Sequence, residues 1–484
     1  MPKTKKKAAK KANGGSGPKS LATYLDQIRD DPHEFRTVSR TVKPMDFEVT
    51  AILQHLEDRG EFPTVEFSKP LNMHGEPSKF PIVANLWATR ERCAEAIGLP
   101  RSKAGSELGK SFAQTVPHKI EPVVVSSDNA PVHANVLQGK KADMWMLPAV
   151  RHAEMDLGGA FTMGVCAKPP GESFYNVTFV KLFSESPRGG GVTIHSAHMS
   201  RILKLWEKRG ERFPIIKILG HHPAFWLGTL NSTPWGDNEY ATAGAFLQEP
   251  LRLVPSVTWG KDFMVPADAE IIIEGEIGPG SQTIVDPFGE ISGQYQPQEL
   301  APLMEVTAIT YRENAIFQDI FSGHREHQLM GALGHEGSIY NFLNQKLGYV
   351  VGVTLPFSAC GRYTVYISIR KTEEHQAKTA AVNALMFLPS MHIAVVVDED
   401  IDIFNEQQVL WAVNTYVDPD LDVDLIKNLR PPQDQRGMGS NRVVIDATRP
   451  THRPFPTRLR VPPKVMERTR KLDEWIDSVK GKKS

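Results

Sequence analysis

The segment Asp286-Pro287-Phe288-Gly289-Glu290 follows the apolar run Ile271-Ile272-Ile273-Glu274-Gly275-Glu276-Ile277 and ends in a carboxylate. Proline fixes φ and glycine permits close backbone approach, so such a turn can hold one carboxylate in one place. On residue types alone, a solvated turn glutamate carries more weight. A second grouping is dispersed: Asn176, His198 and Glu249 each end an apolar, β-rich segment. Amide oxygen, imidazole and carboxylate together suit a hard or borderline divalent cation. Spacing alone does not show that they meet, and satisfied core polar groups outweigh a shared metal at this point.

Three stretches of chain must position these residues. Ser20 followed by Leu21-Ala22-Thr23-Tyr24-Leu25 reads as an N-cap and an amphipathic helix. Thr64–Phe67 and Phe80–Ala84 read as strands, and Thr89–Ile97 as a helix stopped by Gly98. From about Lys119 the texture becomes β-rich, in Ile120–Val125, Val192–Ile194, Leu251–Val254 and Ile271–Ile273, with Gly/Pro clusters between. This predicts a barrel-like centre. After about Ser322 the α/β pattern returns: strands over Val351–Leu355, Tyr363–Ile369 and Ile393–Val397, and a helix over Glu373–Met386. The expected division is a basic, unstructured tail over 1–19, an N-terminal α/β domain over 20–118, a central β-barrel domain over 119–321, a C-terminal α/β domain over 322–450 and a helical tail over 451–484, with a charged helix around Val465–Val479.

Bulk properties exclude several classes. With 484 residues the chain calls for more than one core. It carries 56 basic and 56 acidic residues, so bulk charge does not favour nucleic acid. Cys93, Cys166 and Cys360 are far apart, which argues against a disulfide framework or a thiolate zinc site and fits a reducing cytoplasm. No apolar run is of membrane-spanning length, and the N-terminal lysines precede Asn13–Gly17 rather than the apolar core of a secretory signal.

The motifs Phe80–Leu86 with Arg90-Glu91-Arg92, Gly220-His221-His222-Pro223-Ala224, Gln248-Glu249-Pro250, Glu270-Ile271, Glu274-Gly275-Glu276, Asp286–Glu290 and Val397–Asp402 occur in this order. Together they resemble the UbiD family, whose members include ferulate, hydroxybenzoate and furandicarboxylate decarboxylases. The resemblance runs from about Ser20 to at least Asp422. It implies an α/β multidomain fold with a central split β-barrel that binds prenylated FMN, and a C-terminal α/β domain used for oligomerisation. The implied reaction is reversible, non-oxidative decarboxylation of an aromatic, heteroaromatic or α,β-unsaturated carboxylic acid. It further implies that Asn176, His198 and Glu249 hold a dication, usually Mn2+, with K+ nearby, and that the ion bridges protein to flavin phosphate. Thr178, Val180, Lys181, Ala197, His222 and Pro223 complete the implied flavin site, and Glu290 falls on the family's proton-exchanging glutamate. The segment holding His324, Arg325, Glu326, His327, Leu329, His335 and Glu336 falls where the family builds its substrate pocket, with His327 and Leu329 as contacts; a solvated interdomain loop is the bland reading of the same segment. Implied partners are a flavin prenyltransferase as cofactor supplier and a second or sixth copy of the chain, in a homodimer or homohexamer.

Two departures accompany the resemblance. The family's usual arginine, five residues after the metal-binding Asn, is here Lys181, a point charge rather than a bidentate fork. Its usual additional glutamate, five residues before the last one, is here Val285, with Asp286 beside it as the candidate stand-in. These departures motivate two competing readings: a flavin- or partner-binding protein without turnover, and a decarboxylase of aryl-carboxyl thioesters.

Overall fold

The computed structural model describes residues 17–231, 233–429, 441–470 and 475. The first lysines of the basic tail and most of the far C-terminal helix expected over Val465–Val479 lie outside these residues; the described part of that helix is Pro463–Arg468.

The chain enters through helix α1 (Leu21–Ile28), where Ser20 and Thr23 form a reciprocal capping box that satisfies two orphan donors. Strands β1 (Phe35–Val42), β2 (Thr64–Pro70) and β3 (Ile82–Ala84) form a sheet whose fourth member is the distant pair Phe317–Gln318, parallel to β3. Sequence reading places that pair in the central domain; its backbone partners are N-terminal. One hydrophobic core runs without interruption from Leu21 to Leu333, so the N-terminal and central segments are packed as one body.

The centre is a curled, nine-stranded half-barrel. Its spine is β4 (Phe213–Leu219) against β5 (Ile271–Val285), which pairs in turn with β6 (Glu299–Tyr311), all antiparallel. Ile271, Ile272 and Ile273 are all fully buried, which explains their unbroken apolar run. Glu274 within this strand is a satisfied core carboxylate: it accepts from Ser256 Oγ at 2.8 Å and from the amides of Val257 and Thr258 at 3.1 and 2.8 Å. The expected strand Ile120–Val125 shrinks to the exposed pair Val123–Val124.

The segment read as a pocket lining or loop is a 23-residue helix, Arg325–Leu347. Its first half contributes Leu329, Met330 and Leu333 to the central core, and its second half contributes Ile339 and Leu343 to the C-terminal one. The C-terminal sheet has the order Val350–Thr354, Thr364–Ile369, Ile393–Asp398, Arg442–Ala447, Val423–Ile426, with its three middle strands parallel. Among the described residues no helix is long and apolar enough to cross a membrane.

Candidate active site

A cavity of about 410 Å³ lies where the half-barrel, the 23-residue helix and the C-terminal sheet meet. The strand Asn176–Phe179 and the two residues after it bring Phe179, Val180 and Lys181 to one wall. The Lys181 amide donates to Thr193 Oγ1 at 3.2 Å. Buried Lys217 donates to the carbonyls of Met163 and Val180 and so fixes the backbone beside Lys181; burial pushes its amine well below the lysine range.

Two of the three residues expected to do chemistry, Lys181 and Glu290, meet here. Lys181 Nζ lies 2.6 Å from Glu290 Oε1 and 5.1 Å from the centre of the Phe288 ring. Glu290 also accepts from the amide of Ile291 at 3.0 Å. Burial alone would raise its pKa, but the Lys181 ammonium, together with His327 and these hydrogen bonds, outweighs burial and holds it at about 2. The brace is the Pro287–Gly289 turn, whose Gly289 amide donates to Asp156 Oδ1 at 3.3 Å.

Helical phase selects the opposite wall. His327, Met330, Gly331 and His335 follow i, i+3, i+4, i+8 spacing and line the cavity. Leu329 is off that face and fully packed in the core, which corrects its expected place in the pocket. Burial lowers His327 and His335 to about 3, so both imidazoles are neutral at pH 7. The C-terminal segment adds Arg362, whose guanidinium contacts His335 Nε2. No motif in the sequence marks Arg362, because its position depends on how two distant segments pack.

Asp286 is not in this cavity. It lines a separate cleft with Phe183, Ser184 and Glu185 and accepts from Gln298 at 3.2 Å, while Val285 packs against Phe288 and Ala301. The strand ends at Val285, which borders the same cleft as Asp286, so both lie apart from the cavity that holds Glu290. Asp286 therefore has no geometric claim on the proton of Glu290.

Asn176, Thr178, Ala197, His198, His222, Pro223 and Glu249 lie outside the cavity lining. Asn176 opens its strand, and both the helix carrying Ala197 and His198 (Ala197–Arg209) and the helix preceding Glu249 (Glu239–Leu247) pack against that strand. Asn176 Nδ2 donates to Glu239 at 2.8 Å, which leaves Asn176 Oδ1 buried with no hydrogen-bond partner. An orphaned carbonyl oxygen of this kind is a ready cation ligand. Burial and nearby Arg201 lower the pKa of His198, keeping its imidazole neutral as metal binding requires. Glu249 accepts from the Lys19 amide at 2.7 Å. The donor set fits a dication, although no cluster of three His, Cys, Asp or Glu residues is present among the described residues. His222 and Pro223 are buried; the His222 ring caps the helix Pro223–Thr229 by accepting from the Ala224 amide at 3.1 Å.

Models of the 3-octaprenyl-4-hydroxybenzoate carboxy-lyase family match the chain in three consecutive pieces: the N-terminal domain over residues 28–112, the Rift-related domain over 123–325 and the C-terminal domain over 328–447. The chain belongs to the UbiD family. This UbiD protein is accordingly a carboxy-lyase of that class. It is 26% identical over 472 residues to gallate decarboxylase of Lactiplantibacillus plantarum, covering 90% of this chain and 94% of the relative. The UbiD-class enzyme HmfF from Pelotomaculum thermopropionicum, solved in complex with FMN, superposes with a TM-score of 0.85 at 29% identity over 94% of this chain and all of HmfF. An evolved dimeric form of HmfF in complex with prFMN gives 0.84 at the same identity and coverage. The apo 3,4-dihydroxybenzoic acid decarboxylase of Enterobacter cloacae gives 0.82 at 25% identity, covering 93% of this chain and 100% of that one.

Proposed function

We propose that this protein catalyses the reversible, non-oxidative decarboxylation of an aromatic or heteroaromatic carboxylic acid with prenylated FMN. The observation that carries this reading is the Lys181–Glu290 pair at 2.6 Å on the wall of a cavity of about 410 Å³, within the range of small-molecule sites. The names of its relatives, which act on gallate and 3,4-dihydroxybenzoate, support an aromatic acid. Retention of Asn176, His198, Glu249 and Glu290 argues for turnover over a binding-only role.

The cofactor, when bound, supplies the electron sink for the carbon that loses carbon dioxide. Asn176, His198 and Glu249 would hold a manganese-like dication, and potassium would lie near it. The chain's own residues do the rest. Lys181 is the cation that meets the reacting carboxylate, and Arg362 lines the same cavity where the rest of the ring would lie. At neutral pH Glu290 is ionised against Lys181 and has no proton to give. A substrate carboxylate competes for the Lys181 ammonium and relieves that attraction. The pKa of Glu290 then rises, because burial is its largest remaining influence. Substrate entry thus prepares the acid that protonates the ring carbon. Neutral His327 and His335 face the same space and can exchange hydrogen bonds with ring hydroxyls.

The direct test is co-expression with a flavin prenyltransferase, an ultraviolet–visible spectrum of the purified protein, and a screen of gallate, 3,4-dihydroxybenzoate and vanillate for carbon dioxide release. Loaded cofactor without release from any aromatic acid would overturn the reading. We further propose a cytoplasmic homodimer or homohexamer, which light scattering tests.

A further inference from the structure

Behind Glu290 lies a second cleft, of about 330 Å³, lined by Gln54, Glu57, His152, Tyr295 and His324 among others. Among the described residues, only Glu290 and Ser322 border both this cleft and the main cavity. Between the two spaces sits a buried relay. Asp319, fully buried, accepts from His152 Nε2 at 2.9 Å and from the Thr162 hydroxyl at 2.8 Å. His152 Nδ1 lies 3.3 Å from Ser322 Oγ. The order Asp319–His152–Ser322 runs from the core to the cavity rim.

The relay is bolted to the turn that holds Glu290. Asp156 accepts from the amides of His152 and Ala153 at 3.1 and 3.0 Å with one oxygen and from the Gly289 amide at 3.3 Å with the other. A Cβ placed on Gly289 would sit 3.8 Å from Ser322 and 3.9 Å from Ala153. A histidine whose far nitrogen is oriented by a buried carboxylate and whose near nitrogen meets a rim hydroxyl is built to pass protons.

The reaction needs such a supply. Each turnover places one proton on carbon, and Glu290 starts and ends paired with Lys181, without a proton of its own.

We propose that Asp319, His152 and Ser322 form the proton inlet of this enzyme, carrying protons from the cleft behind Glu290 to Glu290 itself. The inference rests on the decarboxylase reading. After Glu290 has given its proton to the product carbon, the imidazolium Nδ1–H of His152 passes to Ser322 Oγ. The Ser322 hydroxyl proton passes, through cavity water, to the Glu290 carboxylate. His152 is left neutral with its Nε2–H on Asp319, and cleft water in exchange with bulk acid returns one proton to Nδ1. One proton enters for each carbon dioxide released, and no other bond changes. His152 and Asp319 act through Ser322, so they are positioning residues.

The test uses Ser322→Ala, which keeps size at a half-buried position, beside His152→Gln in enzyme loaded with prenylated FMN, with gallate, 3,4-dihydroxybenzoate and vanillate as probes. Ser322→Ala is expected to lower kcat about 10- to 100-fold with KM nearly unchanged, to raise the solvent deuterium isotope effect on kcat, and to slow deuterium entry into product. Added imidazole is expected to restore part of the His152→Gln rate. Parent-like isotope effects and exchange in both variants would overturn the inlet. A cofactor-free readout separates its failure from failure of the decarboxylase reading. In ¹⁵N-histidine spectra of the unloaded protein, His152 Nδ1 should exchange its proton with water, and should still do so in Ser322→Ala because cleft water reaches it directly. An Nδ1 shielded from exchange in the parent would overturn the inlet whatever the loaded enzyme does.

Discussion

Removing the ammonium beside Glu290, by Lys181→Met, isolates the interaction on which the proposed chemistry turns. In the parent, Glu290 falls from an ordinary 4.5 to about 2, although burial pushes the other way. That gap corresponds to about 3 kcal/mol of preference for the ionised form, to order of magnitude. Because the folded-state value lies below the unfolded one, this stabilisation is complete above about pH 4.5 and is lost as the pH falls toward about 2. Lys181→Met keeps the stem over the Phe288 ring and deletes the charge. Burial then becomes the largest influence, so Glu290 should titrate above 4.5. Its contribution should change sign, costing stability as the pH rises through the new value. The assay is ¹³C NMR of glutamate-labelled, cofactor-free protein, with the Glu290 carboxyl assigned by loss of its signal in Glu290→Gln. Benzoate, an inert carboxylate that competes for Lys181, should raise the parent's value in the same spectra. A Glu290 that titrates at its ordinary value in both proteins, and ignores benzoate, would refute the coupling between substrate entry and acid strength.

Further outcomes rest on the same geometry. Glu290→Gln preserves size but removes the transferable proton, so kcat should fall about 10²–10⁴-fold with little change in substrate binding, measured by steady-state kinetics. Lys181→Arg should also lower kcat, because a planar guanidinium must fit where an ammonium sits 2.6 Å from Glu290 above Phe288; unchanged or improved turnover would show that the cavity has room for the fork. His198→Ala and Glu249→Ala should each lose both metal and flavin, read by elemental analysis and absorbance, and full retention in both would remove the metal assignment. Arg362→Met should weaken binding of hydroxylated or doubly charged ring acids more than that of benzoate, read as Kd by titration calorimetry, and equal effects on both would deny it a role in recognition.

Much of the local structure was legible because it depends on neighbours in sequence. The Ser20 capping box, the helix with Thr89 as its N-cap, the Gly98 stop and the buried Ile271–Ile273 run reflect spacing, caps and burial periodicity. The place of Glu290 on the cavity wall was legible only through the family motif, since the Pro/Gly turn alone favoured a solvated glutamate. What escaped depends on distant partners. Phe317–Gln318 joins the N-terminal sheet through backbone pairing alone. Asp286 stands beside the missing glutamate in sequence, but the chain leaves the strand at Val285 and carries it to another cleft. The long helix after His324 was hidden because it is buried nearly all round at its middle and has no clean polar face to give a 3.6-residue period. Asp319, His152 and Ser322 are separated by up to 170 positions, and no short motif joins them.

The helix Arg325–Leu347 divides the cavity by origin. Lys181, Glu290 and Ser322 come from the half-barrel and the segment before the helix; His327, Met330, Gly331, His335, Arg362 and Tyr363 come from the helix and the C-terminal domain beyond it. On the proposed reading, the first set would handle the reacting carboxylate and the proton, while the second would face the remainder of the ring. Bond-breaking and ring selection are therefore written on consecutive, separable lengths of chain. A crossover near Gly323, between this protein and a relative, would exchange ring preference as a block while leaving the proton machinery in its native setting. Selection for new substrates can then act on one cassette, and the other is free to stay as it is.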